Sequence, residues 1–323
     1  MVECQSSYDA MNSELGGEPQ PRKDWDGMLV QSVSVQGSST WNEDALIQNE
    51  ALHIYGVADG ATSLVPYHGP QGETGGRMAS QLLKRYFGQL TAGDERNLLQ
   101  MTCEANRLLG AEMQAADVPL ETKEQLWTTG VAAVRVTEHT VEYVQSGDCM
   151  ILALYEDDLV RVLTRDHVVH MDEGAKQLWR EAIREGVRTR EELWERVRHR
   201  MTGNRASMNT RDGYAVLNGR PEAEHFMEYG IINRIRLKGL LLHTDGLYVP
   251  SSFNSGDDSQ TTAEAGAEKP DVGEETLLKQ MIEKGLEAYT HWLVAEEQRD
   301  PECVRYPRFK MSDDKTAMWL DFT

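Results

Sequence analysis

Cysteine is scarce and unpatterned in this chain. Its four residues, at positions 4, 103, 149 and 303, form no C-x-x-C pair and no dense framework. That argues against a disulfide scaffold and suits a reducing compartment, so a cytoplasmic location is expected. Long apolar runs are also missing: no stretch approaches the ~18 apolar residues of a membrane span. The opening "MVECQSSYDAMNSELGGEPQPRKDW" has no cationic start followed by an apolar segment, so no targeting signal is expected. Positive charge is in short supply, with 33 Lys and Arg against 53 Asp and Glu and a formal net charge of −20. Such a surface repels phosphate backbones and anionic head groups, which excludes nucleic acid and membranes as expected partners. No repeat period is visible, and a monomer is expected.

At 323 residues the chain can fill one large core or two modest ones. Residues 1–27 are polar and rich in Gly and Pro, which predicts a flexible lead-in. In "MLVQSVSVQ", Val33 and Val35 alternate with Ser32, Ser34 and Gln36, the period-2 mark of a half-buried strand. Apolar runs at Ala45–Ile47 and Leu52–Val57 follow, then two helical patterns, "GGRMASQLLKRYFGQL" and "NLLQMTCEANRLLGAEM". Four short β-rich runs between Thr129 and Thr164 predict an antiparallel meander. A charged helical segment from Asp172 to Arg200 has a thin apolar stripe and is expected to pack lightly on the main body.

Strands are expected again at "GYAVLNG" and "GLLLHTDG". The Ser-, Gly- and Asp-rich residues 251–275 predict a mobile loop, followed by a helix from about Glu275 to Glu297 and a last strand "KTAMWLDF". Strands come in runs and helices in pairs, without strict alternation. The expected fold class is therefore α+β with antiparallel sheets, one core favoured over two.

Five acidic residues sit at strand ends. Asp44 opens a strand, Asp59 follows one, Asp148 lies in a turn between two, Asp245 follows "GLLLHT", and Asp313 precedes "KTAMWLDF". If packed antiparallel sheets bring these ends to one rim, the rim is unstable without cations. Carboxylates without His or Cys partners are hard oxygen donors, suited to Mg²⁺ or Mn²⁺. Taken singly, Asp59-Gly60 and Asp245-Gly246 read first as ordinary turns; only the joint arrangement suggests a metal centre.

The order "NEDA", "GVADG", "SGDC", "LTRDH", "LLLHTDGLY" and "SDDKTAMWL" resembles that of the metal-dependent protein phosphatases of the PP2C type, from about Met28 to Phe322. The resemblance implies a four-layer α-β-β-α sandwich over residues 28–323, two antiparallel sheets between helix pairs. It implies two Mn²⁺ or Mg²⁺ ions at one end, held by Asp44, Asp59, the Gly60 carbonyl, Asp245 and Asp313. Asp44 and Asp59 would act in catalysis through the water bridging the ions. Glu43 matches an acid that holds metal-associated water, and Asp148 a residue linked to a third, weaker metal site. The implied activity is hydrolysis of phosphoserine or phosphothreonine in a phosphorylated protein substrate. A non-catalytic module of the same fold and a phosphatase of small phosphorylated metabolites are the alternatives.

Three departures bear on that expectation. Ser39 and Thr40 stand where many members carry a phosphate-clamping Arg; Arg22, Lys23 and Arg77 are possible substitutes, against the plainer reading of solvated charge. Ala61 stands where animal-type members carry a His that protonates the leaving group, which makes His68 a speculative general acid. Asp314 replaces a typical Asn, so either Asp313 or Asp314 could be the ligand, with alignment to the following Thr favouring Asp313. The charged residues 168–213 fall where the family has a variable flap beside the active site, and the basic residues there could attract a phosphoprotein.

Overall fold

The computed structural model describes residues 22–23, 28–61, 65–249 and 272–323. Along them the chain forms strands β1 (Arg22–Lys23), β2 (Leu29–Val35), β3 (Asp44–Asn49) and β4 (Ile54–Ala61), then helices α1 (Gly75–Gln89) and α2 (Leu98–Ala115). Strands β5 (Thr128–Val136), β6 (Thr140–Ser146), β7 (Met150–Tyr155) and β8 (Val160–Val162) precede helices α3 (Val169–Arg184) and α4 (Arg190–Ala206). Strands β9 (Glu228–Asn233) and β10 (Leu237–His243), helices α5 (Val272–Lys284) and α6 (Leu286–Gln298), and strand β11 (Lys315–Asp321) complete the order.

The strands form two sheets, one ordered β1-β2-β11-β10-β7-β8 and the other β3-β4-β5-β6-β9. Every strand pairing described is antiparallel. The period of two sorts each strand's side chains between two cores. In the second sheet Tyr55, Val57, Ala132 and Val134 meet Ile151, Leu240, Leu242, Met318 and Leu320 of the first. Their neighbours Ile54, Ala58, Val131 and Ala133 face outward onto Leu82, Leu83 and Phe87 of α1 and Met101 and Leu109 of α2. On the other side Leu152, Leu241, Ala317 and Trp319 pack on Leu278, Met281, Tyr289 and Leu293 of α5 and α6. Both faces of both sheets are covered, giving the four layers of an α-β-β-α sandwich.

Several expectations change. The predicted meander splits: β5 and β6 belong to one sheet and β7 and β8 to the other, because the chain crosses the sandwich at Gly147, whose φ is +88°. "GYAVLNG" forms only isolated bridges, Thr129 with Leu217 and Met208 with Tyr214. The strand nearby is instead β9, an edge strand whose Tyr229 and Ile231 are exposed and which buries only Ile232 in the core between the sheets, so its alternation is weak. The single helix expected near 275–297 is two, broken at Gly285 with φ +83°.

Helices α3 and α4 do more than lean on the body. Trp179, Ile183, Leu193 and Val197 enclose a small core of their own with Cys303 and, at its edge, Phe309. Of the lead-in 1–27, Arg22 and Lys23 pair with β2 and the rest lies outside the described residues. The loop expected at 251–275 also lies outside them up to residue 271, and its last residues belong to α5. Among the described residues, no helix is long and apolar enough to cross a membrane.

Candidate metal centre

Strand register brings the acidic ends together. Asp44, the first residue of β3, lies directly opposite Asp59 in β4. In the other sheet β10 ends at His243 opposite Ala317 and Met150, so its C-terminal end meets the starts of β11 and β7. Asp245, Asp313 and Asp148 flank those three ends. The two sheets are stapled at this rim: the Thr244 hydroxyl donates to Asp44 Oδ2 at 2.8 Å and accepts from the Thr316 backbone N–H at 3.0 Å.

Asp313 and Asp314 have separate tasks. Asp314 is buried, and its two carboxylate oxygens accept from the backbone N–H groups of Gly37 and Glu43, each at 2.7 Å. Its charge is thereby consumed in tying the loop before β11 to the loop before β3. Asp313 is partly open, and its Oδ1 receives the Lys310 ammonium at 2.6 Å. Glu43 is buried with its carboxylate bonded by the Thr74 hydroxyl, the N-cap of α1. Gly60 allows the tip of β4 to reach that helix: a Cβ there would lie 2.3 Å from the Gly76 carbonyl and 2.5 Å from that of Glu43. Only glycine permits this approach.

Crowding is visible in the protonation equilibria. Burial first, and then the charges of Asp44, Asp245, Asp148 and Asp313, push the Asp59 carboxyl well above the usual carboxylate range. Asp44 is raised by burial and by Asp314 and Asp313, with the Thr244 hydrogen bond working the other way. Asp148 is raised by burial and by Asp245, Asp166 and Asp172. Asp245 is pushed up to about 7 by burial and Asp313, while Lys310 and Lys176 pull it down. Each of these acids therefore feels at least one other member of the group, the signature of carboxylates sharing one space.

The donor chemistry fits hard divalent cations: carboxylate oxygens and a backbone carbonyl, without thiolate or imidazole. The coordination sphere is not closed, however. Among the described residues no three Asp, Glu, His or Cys side chains converge as a ready ion-binding group. Lys310 holds one of the carboxylates, Asp313.

Other residues fall outside this group. His68 is exposed on the segment before α1, and no described hydrogen bond or ion pair joins it to the carboxylates. Arg77 is occupied locally: its guanidinium stacks 4.7 Å over Trp41 and donates to the Asn42 carbonyl at 2.7 Å. The carbonyls of Ser39 and Thr40 accept from the Gln36 side chain at 2.7 and 3.1 Å, closing a turn. The side chains of Arg22 and Lys23 lie outside the described residues. Sequence reasoning missed Lys310, Lys176 and Asp172. Asp172 lies in the first turn of α3, 3.8 Å from Lys176, and it acts on Asp148 and Asp245. Its i,i+4 spacing to Lys176 reads as an ordinary surface pair, so nothing in the pattern marks it.

Comparison with known proteins places this geometry in context. The protein phosphatase 2C family matches residues 34–287. The serine/threonine phosphatase Stp1 from Staphylococcus aureus is similar in structure at 15% identity, covering 96% of this chain and 100% of that one with a TM-score of 0.52. The Mycobacterium tuberculosis serine/threonine phosphatase PstP/Ppp is similar at 16% identity, over 91% of this chain and 98% of that one, with a TM-score of 0.53. The catalytic domain of PstP in complex with two manganese ions is similar at 17% identity, over 91% and 97% of the two chains, with a TM-score of 0.50. No curated protein sequence matches the chain. Identities this low speak for the fold alone.

Proposed function

The chain belongs to the protein phosphatase 2C family, and on that premise we propose that it is a metal-dependent hydrolase of phosphoserine and phosphothreonine in proteins. The observation that carries this reading is the rim itself, where Asp44, Asp59, Asp245 and Asp313 come from four separated stretches of chain and the charge of Asp313 helps to raise the proton affinity of the other three. Asp44, Asp59, the Gly60 carbonyl, Asp245 and Asp313 are the groups that would hold two Mn²⁺ or Mg²⁺ ions. The structure of PstP with two manganese ions, similar in fold, supports this. Bound there, such ions supply Lewis acidity toward water and toward the phosphoryl oxygens.

The chain's own groups set the rest. Thr244 and Asp314 fix Asp44 and the loop around Glu43, so the donor oxygens are oriented before an ion arrives. Glu43, held by Thr74, presents an acceptor beside them that can orient water. A covalent thiophosphate route is disfavoured. Burial, and then the charges of Asp59 and Asp148, push the nearby Cys149 thiol well above its usual range, so a thiolate nucleophile is not formed there. We propose direct attack by water.

The test is hydrolysis of an aryl phosphate and a phosphopeptide panel by the wild type with Mn²⁺, by the wild type with EDTA, and by Asp59→Asn. Activity that requires Mn²⁺ and is lost in Asp59→Asn supports the reading. Turnover indifferent to both perturbations overturns it. Metal binding without turnover of any phosphoester would instead favour a binding module of this fold, and a preference for sugar phosphates a metabolite phosphatase.

A further inference from the structure

A doubly charged phosphoryl group approaching this rim meets Asp44, Asp59, Asp148, Asp245 and Asp313, with Asp166 and Asp172 behind them. Even with divalent ions in place, such a surface needs a fixed cation at the substrate's side. Arg77 is committed to Trp41 and Asn42. Lys176 lies behind the rim beside Asp172. Lys310 is placed differently: its ammonium bonds Asp313 at 2.6 Å and its charge also acts on Asp59 and Asp245. Its side chain is 34% exposed, so it can be reached from solvent.

The loop that carries Lys310 is built, not slack. Arg308 donates to the carbonyls of Met311, Tyr306, Glu297 and Asp300 and to the Asp300 carboxylate, the longest of these bonds 2.9 Å. Asp300 in turn accepts from the backbone N–H groups of Val304, Arg305 and Tyr306. Phe309 sets its ring edge-to-face against Trp179 of α3 and Trp194 of α4, at 5.8 and 6.4 Å. The residue before Lys310 is thus anchored in the core of α3 and α4 and the residue three after it is a rim carboxylate. A lysine held between those two anchors has a fixed base and a mobile tip.

Resting on the metal-dependent hydrolase reading, we propose that Lys310 is the phosphate-binding cation of this active site: its ammonium, beside the rim carboxylate Asp313, would bind the phosphoryl oxygens of the substrate. The ammonium acts as a point charge with three donors, suited to a phosphoryl group that must enter and leave.

The experiment uses the full chain as wild type, Lys310→Met and Lys310→Arg, with circular dichroism to confirm folding. Three quantities are read: calorimetric binding of Mn²⁺ alone, calorimetric binding of inorganic phosphate to the Mn²⁺-loaded protein, and KM and kcat for an aryl phosphate. Lys310→Met is expected to weaken inorganic phosphate and raise KM by about tenfold or more, the scale of one charge-assisted hydrogen bond. Mn²⁺ affinity should hold or tighten, because Asp313 loses its competing partner. Lys310→Arg should restore phosphate binding. Phosphate affinity and KM unchanged in Lys310→Met would overturn the assignment and leave the ammonium as a counter-ion only. Loss of Mn²⁺ binding in that variant would also overturn it, in favour of a structural role. If wild-type turnover fails while phosphate binding still depends on Lys310, the hydrolase reading falls and this assignment stands.

Discussion

The hydroxyl of Thr244 and the carboxylate of Asp44, 2.8 Å apart, join the end of a strand in one sheet to the start of a strand in the other. Because the same hydroxyl accepts the Thr316 N–H, it is a relay from the β11 backbone to an acid of the rim. Thr244→Val keeps the shape but deletes both bonds and strands a buried N–H, which costs about 1–3 kcal/mol. Thermal melts in EDTA should show that loss, and Mn²⁺ titration should show weaker binding. A variant that melts and binds Mn²⁺ like the wild type would show that the relay orients nothing.

Asp313 and Asp314 are adjacent in sequence and opposite in consequence. Asp314→Ala removes two charge-assisted bonds to buried N–H groups and should cost about 2 kcal/mol or more in stability. Asp313→Asn removes one of several repelling charges and should leave the ion-free melt nearly unchanged while abolishing calorimetric Mn²⁺ binding. The reverse pattern, with Asp314 needed for the ion and Asp313 for the fold, would exchange their assigned roles.

Much of this arrangement was legible before folding. Strand alternation, the helix pairs and the acidic strand ends all follow from local rules of period and turn chemistry, and they put Asp44, Asp59, Asp148, Asp245 and Asp313 in play. What could not be read is long-range. Whether Asp313 or its neighbour faces the rim depends on which carboxylate meets the N–H groups of Gly37 and Glu43, more than 270 residues away. Lys310 looked like any charge in a polar loop, since Trp179 and Trp194, which anchor the neighbouring Phe309, come from the distant helices α3 and α4. β9 escaped notice because this edge strand exposes Tyr229 and Ile231 and buries only Ile232, which leaves no clear alternation.

Acid titration of the ion-free protein should run opposite to the common pattern. Asp245 is pushed up to about 7 when folded, whereas a free Asp titrates near ~3.9. Between those values the unfolded chain has released the proton that the folded chain retains. Stability therefore falls as pH rises through that window, and the loss is complete above it. Asp44, Asp59 and Asp148, also raised, add to the same sign. Asp94, held down to about 2 by its hydrogen bonds with Arg96, remains ionised throughout and does not oppose the trend. In EDTA the melting temperature at about pH 5 should exceed that at about pH 8. Saturating Mn²⁺ should reverse the order, because ions require the deprotonated acids. A higher EDTA melt at the alkaline end would contradict a crowded, ion-free rim.

Behind the rim, Lys315 and Glu297 form a fully enclosed ion pair at 2.7 Å, and the same ammonium donates to Ser312 Oγ at 3.1 Å and to the Asp313 carbonyl at 2.9 Å. A purely stabilising pair could be exchanged for apolar groups with little effect on binding, since enclosed pairs often contribute little over a hydrophobic replacement. This one also grips the backbone of the rim loop, so fold and site should respond differently. Glu297→Ala leaves a buried ammonium uncompensated and should cost about 3–5 kcal/mol. The double variant Glu297→Leu with Lys315→Met should regain most of that stability in thermal melts, yet bind Mn²⁺ more weakly than wild type because nothing then holds Ser312 and the Asp313 carbonyl. Recovery of both melt and Mn²⁺ affinity in the double variant would show that the pair serves the core alone and has no part in aiming Asp313.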